Sequence, residues 1–167
     1  AAQTSTVTVA NTATETTLVG TLVGTDTIPA NFLTVGKTIR ITARGYQTIN
    51  TTINQTLNIR VRIGGISGTI VGTTGDQSAA LADTNEGWQL VFDVTCRTTG
   101  ATGTVFSQGY FTLSNNPSAI EIWSLENAAT NTIDTTVSQA IVVSADWASA
   151  SAGDSISCSN LTYEALN

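Results

Sequence analysis

The 167-residue chain contains no histidine and no methionine, a single lysine, two prolines and two cysteines. The missing histidine excludes most. It removes the commonest general base, the Ser-His-Asp triad and the commonest zinc ligand together. Charged residues make up 11% of the sequence, against ~25% in an average globular protein. Six basic and twelve acidic side chains leave a net charge of −6 and a pI near 4.2. Affinity for a phosphate backbone rests on clustered cations, so nucleic acid is not an expected partner. No apolar run approaches the ~18–20 residues of a membrane span. The run Ala140–Val143 is strand-sized, and no membrane partner is expected. Ala1–Thr4 has neither the basic nor the apolar region of a signal peptide, so no leader is expected there. The absence of Met, initiator included, implies a processed chain or a piece of a longer product.

The deficit of charge is filled by neutral polar residues, with Thr alone about a fifth of the chain. With 41% hydrophobic residues this is not a disordered composition. The dominant pattern is alternation with period two. Ile39, Ile41 and Ala43 alternate with Thr38, Arg40, Thr42 and Arg44; Leu57, Ile59, Val61 and Ile63 alternate with Asn58, Arg60 and Arg62. The same holds for Trp88–Arg97, Val105–Leu113, a strand beginning at Ile120 and Ile122, Ile141–Trp147 and Ser155–Leu161. Threonine suits such strands because β-branching fits the pleat and its hydroxyl satisfies the wet face. Turn signals at Gly64–Gly65, Thr99–Gly103, Asn115–Pro117 and Ala152–Asp154 separate the runs. The expectation is one all-β domain over residues 1–167, an antiparallel β-sandwich of jelly-roll type with eight or nine strands and negligible helix. Residues 1–14 are expected as an extended arm or an edge strand. One weakly helical spot, Ser78–Asp83, is expected as a single turn at most.

Few constellations carry chemistry. Asp76, Asp83 and Glu86 share one connection, but their spacing is not that of a calcium loop, and a solvated acidic loop is the expectation. Twelve acids contain many pairs, so no glycosidase pair stands out. Lys37, at the start of a strand, suits an edge guard. Sequons at Asn50, Asn54 and Asn160 are expected by chance in a chain this rich in Asn and Thr. Cys96 and Cys158 have neither metal nor redox spacing. A bridge between them would close a long loop, yet both sit among apolar alternating residues and are expected as buried, reduced thiols. No catalytic residue, metal or cofactor is assigned, and the chain is read as not an enzyme.

The arginines say more. Arg40, Arg44, Arg60, Arg62 and Arg97 all fall on the polar phase of their strands. They are either ordinary wet strand surface or a basic stripe meeting Asp93, Glu121 or a neighbouring subunit's acids, and the stripe is the candidate subunit or particle interface. Trp88 and Trp147 have core phase. Trp123 has the phase opposite Ile120 and Ile122. It is the candidate exposed aromatic contact, for a sugar ring or an interface, unless a bulge switches the phase.

The segment Thr27–Ile28–Pro29–Ala30–Asn31–Phe32–Leu33–Thr34–Val35–Gly36–Lys37–Thr38–Ile39–Arg40–Ile41 resembles an opening of tailed-bacteriophage virion proteins. Leu57–Gly65, Trp88–Arg97, Gly100–Val105, Val143–Ser151 and Asp154–Cys158 fit the same kind of protein in order, from about Asp26 to Leu166. The resemblance implies a jelly-roll-like structural subunit at the surface of a virion, assembled in the host cytoplasm. It would serve as head decoration or cement, or as a fibre- or knob-type part. It also implies a homo-oligomer, with a trimer favoured, and other virion proteins as partners. The alternative is a carbohydrate-binding or adhesin-type β-sandwich recognising a cell-surface glycan.

Overall fold

The computed structural model describes residues 1–49, 55–79, 84–115, 119–127 and 129–167. The N-terminal part supplies five short strands: β1 (Ala2–Gln3), β2 (Val7–Ala10), β3 (Thr16–Thr17), β4 (Leu22–Val23) and β5 (Thr27–Ile28). Then follow β6 (Thr38–Thr48), β7 (Gln55–Ile63), β8 (Thr69–Thr73), β9 (Gln77–Ala79) and β10 (Glu86–Thr98). The last five are β11 (Gly103–Asn115), β12 (Ala119–Glu126), β13 (Asn131–Ile133), β14 (Gln139–Trp147) and β15 (Ser155–Ala165). Among the described residues there is no helix, and eight strands run to five residues or more, as the alternation predicts.

The strands form two antiparallel sheets. The larger has the order β12-β11-β10-β6-β15-β1-β4, with β13 also on β11 and β2 also on β15. The smaller has the order β3-β14-β7-β8, with β5 on β14 and β9 on β7. This is a β-sandwich. The jelly-roll order is not confirmed, because β10, β11 and β12 follow one another as a meander within one sheet. Ser78 and Ala79 belong to β9 rather than to a helical turn, while residues 80–83, which include Asp83, lie outside the described residues, as do Asn50 and Asn54 of the sequons and residues 116 and 117 of the Asn-Pro turn.

Alternation decides the core. Ile41, Ala43, Leu90, Phe92, Phe111 and Leu113 enter it from the larger sheet, and Leu57, Ile59, Val61, Val143 and Trp147 from the smaller. Phe92 fits because β8 offers Gly72 beneath it; a Cβ there would lie 2.4 Å from the ring. The phase breaks once in β15. Cys158 pairs with Gly45 and Asn160 with Arg44, so Ser159 is an extra residue. Ile156 and Cys158 point inward before this bulge, Leu161 and Tyr163 after it. Both cysteines are buried and free, as expected. Burial pushes the Cys158 thiol up to about 11 and raises that of Cys96.

Residues 1–28 run along one side of the sandwich and serve both sheets. β1 and β2 pair with β15, β4 with β1, and β3 and β5 with β14. Val9 and Leu18 enter the core from this segment. Gln3, also buried, ties it down: its Nε2 donates to the Cys158 carbonyl at 2.9 Å and its Oε1 accepts from Gly20 N at 2.9 Å. The side of the sandwich formed by β14 and β15 is thereby covered by the chain itself.

Candidate interaction surfaces

The predicted arginine stripe does not exist as one surface. Arg40 and Arg44 lie on β6 and Arg97 on β10, in the larger sheet, whereas Arg60 and Arg62 lie on β7, in the smaller. Each set has different surroundings.

On the smaller sheet, Arg60 and Arg62 meet acids of their own chain. Arg62 grips Glu15 with a two-pronged contact, Nε to Oε1 and Nη2 to Oε2, both at 2.6 Å. Its Nη1 donates to the Gly68 carbonyl at 2.8 Å. Ser144 Oγ donates to the same Glu15 carboxylate at 2.5 Å. Arg60 bonds Asp146 across the β7–β14 pair, and its Nη1 lies 3.5 Å from Glu15 Oε2. Burial alone would push the Glu15 carboxyl up. Hydrogen bonds from Arg62 and Ser144 and the charges of Arg60 and Arg62 hold it below the ordinary carboxylate range. Glu15 immediately precedes β3, so this cluster clamps the N-terminal segment onto the sheet. Both arginines, expected at a subunit contact, thus make ion pairs within their own chain.

On the larger sheet, register sets the outer rows. One row reads Glu126–Gln108–Asp93–Arg40–Glu164 across β12, β11, β10, β6 and β15. Within it Arg40 forks onto Asp93, Nε to Oδ1 at 2.8 Å and Nη2 to Oδ2 at 2.7 Å. Asp93 was named from the sequence as an acid partner, and the fold delivers it. Arg97 is exposed, with its guanidinium 5.4 Å from the Phe106 ring centre, and Arg44 is exposed on the same outer face.

Trp123 is not on the outside. It is 7% exposed and stacks on Phe111 at 5.2 Å between ring centres; Phe111 stacks in turn on Trp88 at 5.4 Å. The phase opposition to Ile120 and Ile122 is correct, but the faces are reversed. Ile120 is 74% exposed and Ile122 68%. The reason is the strand's end: Ser124 and Glu126 share the phase of the isoleucines and mark the wet face, while Leu125 shares the phase of Trp123 and is buried. Two isoleucines outweigh one tryptophan only if the two polar residues after them are ignored.

Ile122 lies diagonal to Tyr110, itself 47% exposed, on the outer face of the β10–β11–β12 meander, and Ile120 lies further along β12 opposite Ser114. A shallow depression of about 680 Å3 runs there, lined by Asp93, Arg97, Phe106, Gln108, Tyr110 and Ile122. A second, smaller crevice of about 180 Å3 lies beside the N-terminal segment, between Asp26, Phe32, Ile39 and Tyr163. Among the described residues no group of three or more Cys, Asp or Glu side chains is placed to hold a metal ion, and no helix is long and apolar enough to cross a membrane. Comparisons with family models, curated proteins and solved structures give no match.

Proposed function

We propose that the chain is a non-enzymatic structural subunit that acts through protein–protein contacts, as a decoration, cement or fibre-type component at the surface of a tailed-bacteriophage particle. The observation that carries the contact role is the pair Ile120 and Ile122, more than two-thirds exposed on an edge strand beside Tyr110. Adjacent exposed isoleucines on an outer strand are costly for a chain that meets only water, and contiguous apolar patches mark interaction sites. The composition agrees, since a surface of Thr, Ser and Asn packs against neighbours with little charge to desolvate. The virion setting is supported by the ordered segments from Asp26 to Leu166 that resemble virion proteins. The test is co-sedimentation of the purified chain with the phage particle, beside an Ile120→Asp/Ile122→Asp variant. Binding by the parent and loss in the variant is the expected result. A parent that never binds the particle, and binds a saccharide on a glycan array instead, overturns the reading.

A further inference from the structure

Two guanidinium groups lie outside the ion pairs described so far. Of the six cations, Arg60 and Arg62 belong to the clamp and Arg40 forks onto Asp93. Lys37 stands over the Phe32 ring, its Nζ 3.9 Å from the ring centre. Among the described residues Arg44 and Arg97 have no carboxylate at ion-pair distance, although the chain holds twelve acids to six bases. Both lie on the outer face of the larger sheet, and each marks a break in its ladder. Cys96 pairs with Val105 and Thr98 with Thr104, so Arg97 is itself the extra residue of a bulge. Arg44 pairs with Asn160, just past the extra Ser159 of β15. Bulges re-aim side chains and gather beside functional sites.

Between the two arginines the face is hollow. The depression that holds Arg97, Phe106 and Tyr110 is followed along the strands by two more of about 300 Å3 each, and Arg44 and Gly87 line both of these. Gly87 leaves the floor open, since a Cβ there would meet nothing within 4 Å. From Arg97 to Gln89, the partner of Arg44 on β10, is roughly 25–30 Å at the ordinary rise of a strand. Exposed rings stand along this groove, Tyr110 in its middle and Tyr46, 55% exposed, at its end. Gln108, Gln89 and Thr112 supply uncharged hydrogen-bonding groups, and Arg40 offsets the charge of Asp93. A chain of net charge −6 thus carries a groove whose uncompensated charge is positive.

We infer that this groove binds an extended acidic saccharide of the uronic-acid type, its carboxylates forked by Arg44 and Arg97 and its ring faces packed on Tyr110 and Tyr46. The chemistry selects this occupant. Guanidinium matches carboxylate in a planar, two-pronged contact. An aromatic face takes the C–H side of a pyranose, while amides and hydroxyls take its OH groups. A peptide strand finds no ladder to join, because β6, β10 and β11 are paired on both sides. A nucleic acid brings a phosphate at every step to an acidic molecule, which two arginines do not offset. The inference goes beyond the particle contact proposed above and does not depend on it.

The experiment is isothermal titration calorimetry of the full chain with oligosaccharides of alginate and of polygalacturonate. Neutral cello-oligosaccharides of the same length and an oligothymidylate run beside them. The expected result is binding of an acidic oligosaccharide that weakens as salt is added. It falls about tenfold in Arg44→Gln/Arg97→Gln, with an unchanged far-UV spectrum. Tyr110→Ala weakens it at every salt concentration, and Lys37→Gln, which removes a cation outside the groove, leaves it unchanged. No binding of either acidic oligosaccharide, equal binding of the neutral ones, tighter binding of the oligothymidylate, or an equal loss in Lys37→Gln overturns the inference. None of these variants alters Ile120 or Ile122, so co-sedimentation with the particle stands or falls separately.

Discussion

The two sides of this sandwich solve the same problem in opposite ways. At the β14–β15 side the chain lays its own first 28 residues over the ends of both sheets, and Glu15 is held there by Arg62 and Ser144. At the β12 side nothing comparable covers the strand among the described residues, and isoleucine stands in the open. The covered side buries a charged cluster, whereas the open strand sets exposed isoleucines beside a solvated face. Charge on the covered side serves closure within the chain, and apolar surface is what the open side leaves for contact with others. That reverses the division of labour a reader of the arginines would assume.

The sharpest way to break this contrast is at Trp123, because the open strand is open only on its outer face. Trp123→Ala removes a ring packed on Phe111 and should cost ~3–5 kcal/mol in chemical denaturation, a large-to-small core change. A loss below ~1 kcal/mol, the range of surface substitutions, would mean that the indole does not sit in the core. Next is the clamp. Arg62→Ala leaves a half-buried carboxylate with fewer donors and should cost about 2 kcal/mol. Its pH signature has a definite sign. Glu15 binds its proton more weakly in the folded chain than in the unfolded one, so its contribution is complete above the unfolded value near 4.5 and disappears as pH falls through the folded value. Denaturation curves between pH 7 and pH 3 should therefore show a smaller acid loss for Glu15→Gln than for the parent. Equal losses would show that the clamp is not coupled to that proton.

Smaller effects refine the picture. Arg40→Ala removes a well-formed but solvent-exposed fork with Asp93 and should leave the denaturation midpoint close to the parent's, which separates it from the clamp. Ile122→Ser should leave the folded chain within ~0.5 kcal/mol of the parent, since its side chain is already in water. Denatured protein should titrate two free thiols without reductant, whereas in the native state iodoacetamide near pH 8 should react slowly, because burial keeps the Cys158 thiol protonated.

Most of the sandwich was legible in the sequence because period-two alternation is unambiguous when an antiparallel sheet has one dry face. Leu57–Ile63, Trp88–Cys96 and Ile141–Trp147 all bury the residues the pattern selects. The sheet to which each strand belongs was not legible. Arg62 and Arg40 have the same local pattern and end on opposite sheets, since pairing partners are chosen by contacts far along the chain. The clamp was hidden for the same reason: Glu15 and Arg62 are 47 residues apart, and no local signal joins them. In β12 the information was present but shared between two candidate faces, and only Ser124 and Glu126 break the tie. The bulge at Ser159 left a faint mark as well, since Cys158 and Leu161 are an odd number of residues apart and both lie inside.

The position of β15 has a consequence for how the molecule comes into being. This last strand is not an addition to the edge of the larger sheet but its interior, seated between β6 and the N-terminal strands. During synthesis β6 is made early and waits with an unsatisfied edge through more than a hundred residues, while β2 has no strand to join and β1 has only β4. Neither the sheet nor its N-terminal cover is complete until β15 has been made. Pairings this distant in sequence are slow to form, and an edge left waiting is exposed to wrong partners. A nascent chain of this design becomes resistant to proteases late, when β15 meets β6, β1 and β2.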